Sequence, residues 1–198
     1  MGNIIRSPMA FNMKSFTKFL VPNQTPVANF YHSNIWERQD YPGWSRLAIG
    51  AKKREVGLLL DLCKDWDGPF DVLYVLSVPR TIKSSGRFQS AHPINYDDLE
   101  LFLYSFQEFF EQDGRHDIWV VSLSSQNQLI LDRHNNIYAY GDLTELERKL
   151  KEQEFSHATL ETPLPHAHHY HSEYDSAETE VLEYWDWIKS ELHPSDDP

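Results

Sequence analysis

The chain has 198 residues, a formal net charge of −12 and 14% aromatic residues, and a chain of this size buries about two thirds of its unfolded surface as one ordinary domain. Its one cysteine, Cys63, excludes an internal disulfide and reads as a small buried hydrophobe, and no run of side chains approaches the ~20 apolar residues of a membrane helix. The excess of acid excludes DNA or RNA as the main partner, because phosphate binding requires a clustered basic face.

Residues 1–50 combine Pro8, Pro22, Pro26 and Pro42 with Phe11, Phe16, Phe19, Phe30, Tyr31, Trp36 and Trp44. Prolines at that density predict an irregular segment that wraps the core as turns and short helices. A helix is expected over 52–64, where Val56, Leu59, Leu60 and Cys63 fall at helical spacing. Asp67-Gly68-Pro69 marks a turn, and the apolar run over 70–78 reads as a buried strand ended by Pro79. A loop over 80–93 leads to a helix over 95–112, capped by Asn95, with Leu99, Phe102, Leu103, Phe106, Phe109 and Phe110 on one face. Strands follow over 117–123, 128–132 and 136–140, the last two joined by Asp132 to Asn136, where Asn135 and Asn136 suit a tight turn. Asp142 caps a helix over 142–153, 155–160 is a candidate edge strand, and a last helix spans 176–190 with Val181, Leu182, Trp185, Ile188 and Leu192 on one face. Residues 193–198 are expected to fray. The sum is a single α+β domain, a small and mainly antiparallel sheet packed against amphipathic helices.

Charge is unevenly placed. Residues 1–60 carry eight Lys or Arg against three Asp or Glu, whereas from Glu152 onward twelve acidic side chains face one basic residue, Lys189. That asymmetry suits a basic protein partner, and the plainer account is that these carboxylates solvate helix faces. Asn12, Lys14, Ser15 and Lys18 interrupt the apolar core a signal peptide needs, and Arg6 stands where a myristoylation signal carries a hydroxyl. The expected address is the cytosol.

Four groups of residues can carry chemistry. His166-Ala167-His168-His169-Tyr170-His171 lies between Pro165 and the carboxylates Glu173 and Asp175. On an extended backbone His166 and His168 share one face, and two imidazoles with a carboxylate can hold zinc. The spacing matches no standard zinc motif, so a pH-sensitive surface loop is the alternative. Asp132, Arg133 and His134 sit at the meander turn, close in sequence to Asp142 and to His116-Asp117. A His beside an Asp is the pattern of an oriented general base, but turn and cap chemistry accounts for both aspartates, and the segment reads as scaffold with no catalytic residue. Arg80, Lys83 and Arg87 surround small hydroxyl residues and can hold a small anion, although the pattern is not that of a phosphate loop. Glu180, Glu183, Tyr184, Asp186 and Trp187 form an acidic, aromatic face on the last helix suited to a protein partner. No cofactor motif is present.

The segment from Leu129 to Leu143, Leu-Ile-Leu-Asp-Arg-His-Asn-Asn-Ile-Tyr-Ala-Tyr-Gly-Asp-Leu, resembles small bacterial α+β proteins of the immunity kind, which bind and silence a toxin. The resemblance implies a binding protein without catalytic residues and with an acidic surface for a basic partner. Three functions therefore compete: an acidic protein-binding module, a metal-dependent hydrolase using the His166 to His171 cluster, and a regulatory domain that binds an anion at Arg80 to Arg87.

Overall fold

The structure is a computed structural model that describes residues 16–21 and 28–196, without the side chains of residues 28 and 29. The expectations for residues 1–15, 22–27 and 197–198 lie outside the described residues. In chain order the strands are β1 Phe19–Val21, β2 Ala28–Asn29, β3 Ile35–Tyr41, β4 Trp44–Gly50, β5 Phe70–Leu76, β6 Gly86–Ser90, β7 His116–Ser122, β8 Gln128–Leu131, β9 Asn136–Tyr140, β10 Ser156–His157, β11 Ala167–His168 and β12 Trp187–Ser190. The helices are α1 Glu55–Cys63, α2 Tyr96–Ser105, α3 Gln107–Gln112, α4 Leu143–Glu152 and α5 Asp175–Tyr184.

The fold is α+β, but its sheet is large rather than small. Nine strands run in the order β10-β3-β4-β9-β8-β7-β5-β6-β12, antiparallel except where β10 joins β3, and β11-β1-β2 make a second sheet of three. Three expectations fail for one reason, that a sheet edge recruits segments which look irregular or helical by themselves. Residues 35–50 do not wrap the core. They form the β3–β4 hairpin, with Pro42-Gly43 at its tip and Gly43 at φ 89°, where glycine carries no steric cost. The stretch 80–93 contains β6, which pairs with β5. The last helix ends at Tyr184, and Trp187 to Ser190 turn into β12 against β6.

The meander β7–β8–β9 sorts its side chains by the two-residue period. Val120, Leu129, Ala139 and Leu47 form one cross-strand row facing the helices, and Ile118, Leu131, Ile137 and Ile49 form the next, all buried. The helices α1, α3 and α4 pack on β8, β7 and β9, and α2 packs on α1 and α3. Two sequence-derived caps are present: Asn95 accepts from the Asp98 N–H, and Asp142 from the Glu145 N–H. The helix expected over 95–112 breaks at Phe106, where the Ser105 hydroxyl donates back to the Leu101 carbonyl at 2.7 Å, a contact that bends helices. Tyr184 and Trp185 pack on Phe102, with ring centroids 5.1 and 4.2 Å away. Apolar contact of this kind draws the chain out of helix after α5.

The opposite row of the meander, Trp119, Ile130 and Tyr138, faces away from the helices. The end of the described chain lies over that face: the Asp196 carboxylate accepts from Arg87 Nη1 at 3.0 Å and its carbonyl from Arg133 Nη2 at 2.8 Å. Among the described residues no helix is long and apolar enough to cross a membrane.

Candidate metal centre

His134 lies in the β8–β9 turn, and that turn is built by Asp132. One carboxylate oxygen of Asp132 accepts from the backbone N–H of His134 and of Asn136, both at 2.8 Å, and Asn135 takes the left-handed conformation at φ 59°. The other oxygen faces His134 Nδ1 at 3.2 Å and accepts from Asn136 Nδ2 at 3.0 Å. Burial opposes the Asp132 charge, but the His134 and Asn136 hydrogen bonds outweigh it and hold the carboxyl below its ordinary range. The turn is fastened from behind by Lys18 Nζ, which donates to the Asp132 carbonyl at 2.8 Å, and by His32 Nε2, which donates to the His134 carbonyl at 3.1 Å.

The second and third histidines come from the segment leading into β11. Antiparallel pairing with β1 sets Phe19 opposite His168, and the extended backbone turns His166 and His168 the same way, as their spacing predicts. Phe19 packs against all three rings of His134, His166 and His168 at centroid distances of 5.3–6.4 Å. Gly114 admits this segment, since a Cβ there would stand 2.7 Å from the Lys18 carbonyl oxygen and 3.0 Å from His168 Nδ1.

The three imidazoles offer one nitrogen each, all within 4.8 Å of one another. His134 Nε2 and His166 Nε2 stand only 3.0 Å apart. Their Nδ1 atoms fix the tautomers. His134 Nδ1 faces the ionised Asp132, and His166 Nδ1 lies 2.9 Å from the Pro163 carbonyl, so each has only an acceptor before it and carries the hydrogen. With the Nδ1 hydrogens so placed, the two Nε2 atoms face each other at a separation at which they can share a proton or a metal ion. Ligands of a tetrahedral metal bound at zinc–nitrogen lengths stand about 3.3 Å apart. The first pair is already close to that value, and the third nitrogen needs to close by about 1.5 Å at most, a side-chain movement. His168 is neutral and so able to ligate: burial first, and then its neighbours His134 and His166, push it down to about 4.

The open side of the cluster gives onto a cleft of about 600 Å³. Its floor is the row Trp119, Ile130 and Tyr138, and the far wall is Ser195 and Asp196. Arg46 also lines it, with its guanidinium 4.0 Å from the centroid of the Tyr138 ring, Nε donating to Gln39 at 2.8 Å and Nη1 to the Tyr140 hydroxyl at 3.3 Å. Arg133 donates to Asp117 and to the Asp196 carbonyl, while its Nη1 is buried with no partner among the described residues.

The sequence singled out His166 and His168, and separately Asp132 and His134, as scaffold; the structure brings the four side chains together at the meander turn. The carboxylate beside the histidines is Asp132, whereas Asp175 is bound by Arg80 and Arg115. His171 turns elsewhere, its Nε2 to the Thr17 carbonyl. His116 is buried in the core against Tyr74, Phe109 and Phe110, which removes it as a general base. Arg46, Trp119, Ile130, Tyr138 and Arg133 were not assigned from sequence as site residues; the alternation of β7 to β9, which places Trp119, Ile130 and Tyr138 on one face, was the signal available.

The remaining expected sites are dispersed. Arg80 pairs with Asp175, Arg87 with Asp196, and Lys83 is exposed, so the three do not converge on one position. Glu180, Glu183 and Asp186 are exposed, and Glu183, Tyr184 and Asp186 line a pocket of about 440 Å³ with Asp98 and Trp185. Trp187 turns inward, its Nε1 donating to the Val181 carbonyl at 3.1 Å. Cys63 is buried and free, and burial pushes its thiol up to about 12, which leaves it inert. No family model, curated protein or solved structure matches the chain.

Proposed function

We propose that the protein is a metal-dependent hydrolase whose centre is His134, His166 and His168, with zinc as the preferred ion. The observation that carries this reading is the 3.0 Å approach of two Nε2 atoms whose rings both hold their hydrogen on Nδ1. Three nitrogen ligands beside an open cleft are the pattern of a catalytic rather than a closed structural site. Zinc there supplies Lewis acidity and brings the pKa of a water it binds to about 7. Asp132 fixes the His134 tautomer and orientation, as carboxylates do behind metal-bound histidines. The floor of Trp119, Ile130 and Tyr138 excludes solvent from one side of the substrate. In the reaction the water oxygen bonds to the electrophilic centre, the leaving group departs with the electron pair of the broken bond, and a proton from the water completes it.

Metal-stripped protein titrated with zinc is expected to take up one ion per chain, with a rise in melting temperature. His134→Ala and His166→Ala should abolish both, and with them any turnover of model esters. Absence of stoichiometric zinc binding by the wild-type chain at neutral pH would remove the reading.

A second reading rests on Glu183, Tyr184 and Asp186 around their 440 Å³ pocket. An acidic rim with aromatic walls suits a basic protein partner, as the resemblance to immunity proteins over Leu129 to Leu143 implies. It predicts capture of a basic protein that weakens with salt and with charge reversal at Glu180, Glu183 and Asp186. Capture indifferent to both would sink it.

A further inference from the structure

The cleft beside the three histidines carries a second signature, in the charge that lines it. Arg46 has no carboxylate partner among the described residues: it is held by Gln39, by the Tyr140 hydroxyl and by the face of the Tyr138 ring. Of the seven other described arginines, Arg38, Arg80, Arg87, Arg115, Arg133 and Arg148 sit on carboxylates, as expected in so acidic a chain; the seventh, Arg54, is exposed to solvent, whereas Arg46 is half-buried in the cleft wall. An arginine kept on neutral partners at the mouth of a cleft retains its charge for something that enters.

The aspartates of the cleft do not oppose this. Asp117 is paired with Arg133, Asp196 with Arg87, and Asp132 is held by His134 and Asn136. Arg133 also keeps Nη1 buried at the same cleft, without a partner among the described residues. The lining holds two arginines against three aspartates, one of which is neutralised from outside the cleft by Arg87. A divalent ion on the histidines therefore turns the cleft positive, and an anion is admitted with the metal rather than before it. The floor of the cleft is the row Trp119, Ile130 and Tyr138, two aromatic rings and an aliphatic side chain, with the Arg46 guanidinium 4.0 Å from the Tyr138 ring centroid and that of Arg87 5.1 Å from the Trp119 ring centroid.

Resting on the hydrolase reading, we infer that the substrate of this centre is a small molecule carrying an oxyanion on a planar ring, the oxyanion lying between the metal and Arg46 and the ring on the Trp119, Ile130 and Tyr138 floor. Phosphate and carboxylate share this chemistry. The volume of the cleft is within the range of small-molecule sites.

The test is calorimetric titration of the zinc-loaded and the metal-stripped full chain with phenyl phosphate, benzoate and inorganic phosphate. Saturable binding of phenyl phosphate or of benzoate to the zinc-loaded protein alone supports the inference, and whichever arm binds identifies the oxyanion. Arg46→Gln should weaken that binding roughly ten- to a hundred-fold, the loss of one charge-assisted contact, while leaving zinc uptake unchanged. Arg46→Lys should recover part of it, which separates lost charge from a damaged β3–β4 hairpin. Zinc uptake without binding of either aryl ligand overturns the inference and leaves the metal site standing, as does inorganic phosphate binding as tightly as phenyl phosphate. Failure to take up zinc overturns the hydrolase reading itself.

Discussion

Two polar clusters hang on the same stretch of chain, residues 166–178, and they are built on opposite principles. Around Arg115 every charge is matched. Its guanidinium donates to Asp113 at 2.8 and 2.9 Å, to Asp175 at 3.0 Å, to Glu178 at 2.7 Å and to the His171 carbonyl at 2.7 Å, and Glu178 is further held by the Arg80 and Thr81 N–H groups. Around His134, His166 and His168 nitrogen faces nitrogen: two Nε2 atoms stand 3.0 Å apart, and each ring offers a nitrogen within 4.8 Å of the others. The first cluster is complete and fastens α5 to the start of β7. On the proposed metal-site reading the second is completed by a cation, and that would be the difference between a structural network and a binding site.

The largest expected effect breaks the first cluster. Arg115, Asp113 and Glu178 have fully buried side chains, so Arg115→Met leaves two carboxylates buried without their cation. That substitution should cost about 3–5 kcal/mol, read as a shift of the urea midpoint. Zinc uptake at native temperature should persist, because none of the three histidines depends on Arg115 for its hydrogen bonds. A stability change under about 1 kcal/mol would mean that the network is not what holds α5.

Glu55 is an intermediate case, buried and only partly matched. Burial first, and the nearby Glu111 second, push its carboxyl up to about 7 from the ordinary 4.5, while Lys18 acts weakly in the opposite direction. Because the folded state holds this proton more tightly than the unfolded chain, the stability it contributes is fully present below pH 4.5 and is lost as pH rises through 7. The loss amounts to at most about 3 kcal/mol. Glu55→Gln should therefore be near neutral at pH 4 and stabilising at pH 8, with a shallower slope between. Glu111 is shifted the same way, burial being its main cause, and keeps part of that slope in the variant. Parallel stability curves for the two proteins would contradict the account.

Much of the scaffold could be read from local pattern. The meander strands alternate cleanly, Asn95 and Asp142 cap where their chemistry predicts, and Asn135 takes the positive φ expected of it. What could not be read is pairing with distant edges. Trp185, Ile188 and Leu192 keep helical spacing, yet β6 offers an open ladder that Trp187 to Ser190 complete. Likewise Ile35 to Gly50 looks broken by proline until Pro42 is placed at a hairpin tip. For the site, the shared face of His166 and His168 was legible from alternation. Their third partner was not, since His134 stands 32 residues upstream and β11 brings the two segments together only through β1. Asp132 was misleading because it does two things: the oxygen that makes the turn hides the oxygen that orients the ring.

Those two roles can be separated by one substitution. In Asp132→Asn the amide oxygen takes the position that accepts from the His134 and Asn136 backbone N–H groups, since nitrogen there would set donor against donor. The turn is thus preserved, and the amide NH₂ replaces the oxygen now facing His134 Nδ1. A donor at that position favours the other tautomer, with the hydrogen on Nε2, the nitrogen that faces His166. The ligand lone pair is then withdrawn while every ligand residue remains in place. Zinc affinity should fall about 10- to 100-fold, with a change in the stability of the metal-stripped chain below about 1 kcal/mol. Unaltered affinity would make Asp132 a turn residue and nothing more. Loss of affinity together with collapse of the fold would put its importance in the turn, whereas loss of affinity in a stable chain is the result expected if the carboxylate completes the metal centre.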